Sequence, residues 1–459
     1  MKLINISIAH FIFLTYIISS SFLLPLFPQE ESTVLYTQIV LLTTFFWTLF
    51  AQIKLNGAKH LFTIFLALFF LFLLSLPFFD LIGLVELDKK YLFVPIKLTN
   101  DIDIRVYTFS TQFIAVSFLG VLFGHSNKPK SDNELLHKDY LYTGGIILFI
   151  IALPGILTKY YLQMKVILQQ GYLSIYNGSL QNIDYPIICT GAGTLLIIGY
   201  CIFISSKPSK KQYLIITTIF ILTQILNGLK GQRSVLMFPL VFSTWYYMKF
   251  FTTQVAVRKI IFLILIVAIA AQGILMLRHK KKYLSQKESF TDTYITNFFV
   301  QQGVTFFIQP YILHYGIKNE SYPYLLAPLD FRSYGKPQTL DRLQKFNYLP
   351  DKLMYRMLPN GFKEGGGVGS SITAIFYDLP RWVSFILCFL GGFLISKFEN
   401  NVKNYRLLLV SSYYIVYAVT SSIRYEPLQL FYDLLIVLVI YTLIDLFHSR
   451  AQLNKKLNE

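Results

Sequence analysis

Four cations stand where a strongly apolar chain has least reason to keep them. Lys230 and Arg233 occupy the short gap in ILNGLKGQRSVLMFPLVF, residues 225–242; Arg278 ends a later apolar run, and Arg424 lies in SSIRYEP, residues 421–427. A guanidinium binds phosphate through a two-pronged fork of N–H donors, so cations at one depth describe a site for a phosphate-bearing ligand. Arg233 would also open a helix, whose free N–H groups and dipole favour an anion at that end. Glu426, His314, Asp292 and Asp330 are the groups that could accept a proton beside such a site. Together the two sets suit glycosyl transfer from a lipid-linked diphosphate. Cations stabilise the departing diphosphate as its charge develops, and a base takes the acceptor hydroxyl's proton. The simpler alternative for Lys230 and Arg233 is snorkelling to headgroup phosphates.

The elements that must position these residues are apolar runs of bilayer-spanning length. The chain has 459 residues, 54% hydrophobic and 14% charged, whereas soluble domains carry about 25% charge. The fold class expected is an all-α polytopic membrane protein with about twelve transmembrane helices. They fall at roughly 5–26, 34–53, 60–80, 106–125, 141–158, 186–206, 213–228, 234–250, 260–278, 380–396, 404–422 and 427–447. The first run is too long for the apolar core of a signal peptide and no A-x-A site follows, so it reads as a retained span.

Charge orients the bundle. With both termini in the cytoplasm, inner segments hold eighteen Lys and Arg and the shorter outer loops nine, the bias the positive-inside rule requires. The gap carrying Lys230 and Arg233 then faces outward, where that rule gives no reason for cations. Three parts follow: a transmembrane bundle 1–278 with nine spans, a large periplasmic loop 279–379, and residues 380–459 with three spans and a cytoplasmic tail. The net charge of +17 sits in short tufts between spans, which marks topology and lipid contact rather than nucleic acid. Cys189, Cys201 and Cys388 fall within spans with no metal or disulfide spacing, and neither HExxH nor GxSxG occurs. No metal and no cofactor is expected.

The loop is basic and aromatic, with twelve Lys and Arg against eight Asp and Glu in 279–379. Its start, SFTDTYITNFFVQQGVTFFIQPYILHYG, repeats aromatics at helical spacing and suits one or two helices in the membrane interface. Aromatic faces suit the C–H faces of sugars. GFKEGGGVGSS, residues 361–371, lacks the lysine of a nucleotide-binding loop and suits a hinge or a close backbone approach to a ligand.

KGQRSVLMFPLVFSTWYY resembles the basic G-x-R turn and Pro-containing span of the Wzy-type polymerases, which join oligosaccharide repeat units into O-antigen. GVGSSITAIFYDLPRWVSFILCFLGGFLI resembles the Gly/Ser-rich segment, tyrosine and Gly-bearing span that close that family's large periplasmic loop. The resemblance implies an enzyme of the bacterial inner membrane that moves a growing glycan from undecaprenyl diphosphate onto an incoming lipid-linked repeat unit. It implies no metal, and a chain-length regulator and a flippase as working companions. On it, Arg233 matches the basic turn, and Gly367, Ser370, Ser371 and Tyr377 match the loop exit as substrate-binding positions with Lys230. Arg233, Arg278 and Arg424 are then the diphosphate-stabilising residues, with His314 or Glu426 as base.

Two other readings stay open at the level of sequence. A ligase that moves finished glycan to its final lipid acceptor would share this topology. A repeat-unit flippase or other secondary transporter would show internal repeats and short loops, which this sequence lacks.

Overall fold

A backbone surrounded by lipid must satisfy its own hydrogen bonds, and every long apolar run among the described residues does so as a helix. The computed structural model describes residues 2–23, 28–85, 87, 94, 96, 98–125, 135–170, 183–228, 233–252, 297–319, 322–333, 339–363 and 367–458. The side chains of residues 2–4, 17–23, 170, 233–235, 297 and 455–458 lie outside that description.

The long helices are α1 (Lys2–Leu23), α2 (Glu31–Asn56), α3 (Leu61–Leu81), α4 (Asn100–Gly124), α5 (Asp139–Gln170), α6 (Ala192–Ser205), α7 (Lys210–Gly228) and α8 (Arg233–Phe250). After a segment of short helices come α15 (Arg381–Asn401), α16 (Arg406–Ser421) and α17 (Phe431–Asn458). Each coincides with one expected span, and the expected ninth span, 260–278, lies outside the described residues. Six of these helices are long and apolar enough to cross a bilayer by length and composition: α2, α3, α4, α5, α15 and α17.

Several boundaries differ from expectation, α17 running on to Asn458 and α4 starting at Asn100, and two of the differences have a clear physical reason. Helix α5 runs on to Gln170 because KYYLQMKVILQQ keeps helical spacing past the expected end at 158. At about 1.5 Å per residue its 32 residues exceed the ~30 Å hydrocarbon thickness. Helix α6 starts at Ala192 rather than 186, because Pro186 opens a single 3₁₀ turn and Gly191 adopts φ 68°, where a side chain would be strained.

Between α8 and α15 lie α9 (Asn297–Gly303), α10 (Ile308–Tyr315), α11 (Leu340–Lys345), α12 (Leu349–Met357), α13 (Pro359–Lys363) and α14 (Ile372–Tyr377). The first two were expected as interfacial helices, but they pack into the bundle. Phe298, Phe306, Phe307 and Tyr311 are buried in one core with α3 and α4. Their aromatics face both sides of the segment, so a single wet face does not exist for an interface to use. The described part of the loop, 297–379, is thus a lid that shares the bundle's core.

Two cores result. One joins α1–α4, the lid and the first half of α15; the other joins α5–α8, α16 and α17. Close backbone contacts hold the first. A Cβ on Gly392 of α15 would stand 1.9 Å from the Ser117 carbonyl oxygen of α4, and one on Gly120 would stand 2.0 Å from the Phe389 carbonyl oxygen. Small residues at such crossings let helices approach within backbone contact. At the end remote from the lid, the buried Glu399 fastens α15 to two others. It accepts from the Trp245 indole at 2.7 Å and the Leu61 N–H at 2.6 Å, and it pairs with Lys249.

Candidate functional site

The turn after α16 carries Arg424 and is wound tightly by its own backbone: the N–H groups of Arg424 and Tyr425 donate to the Ser421 carbonyl at 2.9 and 2.8 Å. Pro427 then blocks helix continuation. The Arg424 guanidinium lies over the Phe72 ring, 5.6 Å from its centroid, and Nη1 donates to Gln302 Oε1 at 3.3 Å. Phe72 stands in the one π-helical turn among the described residues, Phe70–Leu74 inside α3, and such turns recur at functional sites. Gln302 reaches this place because Gly303 presses on α3, where a Cβ would meet Ser75 and Leu76 side-chain atoms at 2.7 Å.

The glycine-rich lead-in to α14 closes the other side. The Ser370 N–H donates to the Arg424 carbonyl at 2.8 Å, and a Cβ on Gly369 would stand 3.1 Å from that same oxygen. No carboxylate lies within ion-pair distance of Arg424 among the described residues. A half-buried guanidinium held by a ring and an amide keeps donor capacity for an external anion. The buried Ser370 Oγ also makes no hydrogen bond among the described residues, the condition a ligand relieves.

The same turn bounds an apolar groove of about 550 Å³ at the seam of the two cores. Its walls are α15 and α16, its floor is Phe62, Phe65 and Phe113 of α3 and α4, and Ser422 and Pro427 stand at the Arg424 end. Lys397 and Asn401 mark the far end, near the last turns of α15. Gly391 and Leu394 on its rim are exposed, so the groove opens sideways to the surroundings of the bundle. A second pocket of about 390 Å³ has mostly apolar walls, Tyr417 among them, and holds Lys159, Gln163, Gln224, Asn227 and Asp433. Tyr417 packs on Phe238 of α8 (5.1 Å), which in turn meets Tyr425 beside Arg424 (6.0 Å).

Glu426 stands two residues from Arg424 but faces the lid instead. It is 6% exposed, takes a hydrogen bond from the Leu349 N–H, and leaves Oε1 without a partner. Beside it Asp351 and Arg342 form a two-pronged pair at 2.7 and 2.9 Å, and the Arg342 guanidinium stacks 4.5 Å from the Tyr348 ring centroid. Burial pushes the Glu426 carboxyl well above its ordinary 4.5, and Asp351 adds to this while Arg342 opposes it. Burial likewise raises Asp351. The raised carboxyl keeps its proton to higher pH than an ordinary glutamate, and its contact with Leu349 and its nearness to Asp351 and Arg342 tie it to the lid.

This has a measurable consequence. A carboxyl raised in the folded state stabilises it fully below its unfolded value and loses that contribution as pH climbs towards the folded one. Across that window the loss runs to about 1.4 kcal/mol per pH unit. Thermal unfolding of the purified chain should therefore weaken from pH 5 to pH 9. Glu426→Gln should flatten the profile and raise the midpoint at pH 8, and parallel profiles would remove this role.

The remaining expected residues are placed as follows. Lys230, Arg278 and Asp292 lie outside the described residues, and of Arg233 the backbone alone is described, as the first residue of α8. Phe238, five residues on, contacts Tyr425, so the start of α8 stands about 7.5 Å along its axis from the Arg424 turn. His314 is exposed at the end of α10, edge-on to Tyr315 at 5.0 Å, and no contact among the described residues joins it to Arg424. Gly367 is exposed; the glycine that touches the site is Gly369. Ser371 precedes α14 with its Oγ on Thr373 Oγ1 at 2.8 Å, and Tyr377 packs edge-on to Phe109 (5.3 Å) with Arg381 over its face (5.0 Å). Both thus serve the lid's last helix. Asp330 pairs with Arg332 at 2.6 Å. Among the described residues no three His, Cys, Asp or Glu gather as a metal site.

Sequence reasoning missed Gln302, Gly303, Gly369 and the Arg342–Asp351 pair. Gly369 lies in the glycine-rich run that signalled a close backbone approach somewhere in 361–371, but the sequence did not single it out, and the others belong to no motif.

The described residues thus form a helical bundle with six candidate membrane spans, a lid packed on it, and an apolar groove that ends beside the Arg424 turn. The sequence profile of the O-antigen polysaccharide polymerase Wzy family matches residues 4–456, and the chain belongs to that family. Its members are membrane proteins that polymerise lipid-linked oligosaccharide repeat units. No curated protein and no solved structure matches the chain.

Proposed function

We propose that the chain polymerises oligosaccharide repeat units carried on undecaprenyl diphosphate, at the periplasmic face of the inner membrane. The single observation that carries this reading is the groove of about 550 Å³ that ends at the Arg424 turn. It suits a lipid chain lying in the groove with its diphosphate at the guanidinium. An apolar, side-opening channel is reachable from the bilayer, and each buried CH₂ of an isoprenoid contributes about 0.8 kcal/mol. The lid covers the turn and keeps water from a diphosphate ester that it would otherwise hydrolyse.

The reaction breaks the bond between C1 of the growing glycan's reducing-end sugar and the diphosphate oxygen. A hydroxyl of the incoming lipid-linked unit attacks C1 and forms the new glycosidic bond. The electron pair leaves with undecaprenyl diphosphate, whose charge Arg424 stabilises, joined by Arg233 from the start of α8. The hydroxyl's proton passes to Asp433, the one acid lining the second pocket. A chain-length regulator would act on the lid side, where the glycan emerges.

Deleting the gene in its native host tests this. Glycolipid carrying a single repeat unit is the expected residue, and restoring the gene restores long chains. Lipid bearing no glycan, with long polymer still on its carrier, would assign a ligase instead.

A further inference from the structure

The lid carries a second cleft that the groove and the Arg424 turn do not use. It measures about 700 Å³, and Lys318, Lys345, Lys352 and Arg356 line it with no Asp or Glu among its lining residues. Lys345 reaches Asp341 at 2.6 Å, but both side chains are mostly exposed, so that pair is weak and readily exchanged. Tyr315 and Tyr355 supply ring surface to the walls, Tyr355 being 39% exposed. The third feature is Asn347, which lines the cleft at 2% exposure and whose buried Oδ1 has no hydrogen-bond partner. Its Nδ2 donates to the Tyr322 carbonyl, which fixes the side chain and leaves the oxygen as an acceptor awaiting a donor.

Each feature selects a ligand property. Four cations in a lining that holds no acid select negative charge, a buried acceptor selects a hydroxyl or N–H donor, and tyrosine faces select the C–H face of a ring. An acidic saccharide has all three. A phosphatidylglycerol headgroup has the charge but offers no ring for the tyrosines, and the features line a recess rather than a flat patch.

Position adds to this. Phe346 and Asn347 face the cleft, while Leu349, two residues on, holds Glu426 next to the Arg424 turn. One short stretch of backbone therefore joins the cleft to the residue that contacts Glu426, two residues from Arg424.

We propose that this cleft is a second saccharide site that grips the product glycan, and that the glycan made by this chain carries anionic sugars. The inference rests on the polymerase reading above, but its test requires binding alone. The full chain, in nanodiscs of neutral phosphatidylcholine, is titrated with galacturonic acid hexamer and with maltohexaose as the uncharged equivalent. The acidic hexamer should bind at least about tenfold more tightly, and Lys318→Gln with Arg356→Gln should weaken it by about tenfold or more. Both residues are exposed, so the unfolding midpoint should stay in place. Equal affinity for the two hexamers overturns the proposal, as does unchanged binding by the double variant. Failure of the hexamer to bind, with loss of affinity for phosphatidylglycerol vesicles in the double variant, assigns the cleft to headgroups and also overturns it. Arg424→Ala should bind the hexamer normally, which separates a failed cleft from a failed catalytic site.

Discussion

Arg424→Ala is expected to leave cells with single-repeat glycolipid in place of long chains, at unchanged abundance of the protein. The guanidinium spends its contacts on a ring face and one amide oxygen, 5.6 and 3.3 Å away, and no carboxylate offsets its charge among the described residues. Removing it costs the fold one long hydrogen bond and part of a half-buried surface. Removing a preorganised positive charge from a departing diphosphate costs far more, about 10²- to 10³-fold in rate by comparison with other charge-stabilising donors. Arg424→Lys keeps the charge without the fork and should recover a part of the activity. Antibody detection of the membrane-inserted protein beside the glycan ladder checks both halves. Normal ladders from Arg424→Ala would remove the residue from the mechanism.

The second large effect separates two neighbouring glycines. A Cβ on Gly391 meets nothing within 4 Å, and the residue lines the groove; a Cβ on Gly392 would stand 1.9 Å from the Ser117 carbonyl. Gly391→Phe therefore fills the groove and leaves the helix crossing intact. Its ring displaces roughly one isoprene unit, four or five buried carbons worth about 3 kcal/mol together, so activity should fall by about 10²-fold. Gly392→Val forces α15 away from α4, a backbone clash that side-chain motion cannot relieve, and should deplete the folded protein itself. Quantifying protein and polymer for both variants checks the contrast. Full polymer from Gly391→Phe would show that no lipid chain occupies this groove.

The helices were legible because lipid allows no other spanning backbone than helix or closed barrel, and apolar runs of span length repeat along the chain. Their ends were less so. Gly191 and Pro186 move the start of α6 through backbone geometry, which hydropathy does not register. The lid's burial was also hidden: the aromatics of 297–315 look amphipathic in one dimension, and both faces find partners on α3 and α4 only in three.

Arg424 was legible as a cation with no topological excuse, and so was the approach of the glycine-rich segment. The register was not, since Gly367 and Gly369 differ only in which faces the Arg424 carbonyl. Gln302 could not be found at all, because its role depends on a π-helical turn more than two hundred residues earlier in the chain. For Glu426 the place was legible and the partners were not. Its nearness to Arg424 in sequence suggested a shared task, yet residues two apart on a turn point to different neighbours, and this one faces Asp351 and Leu349.

The most direct measurement is reconstitution. Purified chain in nanodiscs receives a polyprenyl-diphosphate-linked repeat unit as sole substrate, and mass spectrometry reads both products. The expected result is lipid-linked glycan two or more repeats long, with one free polyprenyl diphosphate released for every new linkage and both products absent with Arg424→Ala. Substrate that crosses the membrane unchanged, or polymer that forms without released polyprenyl diphosphate, would contradict the account.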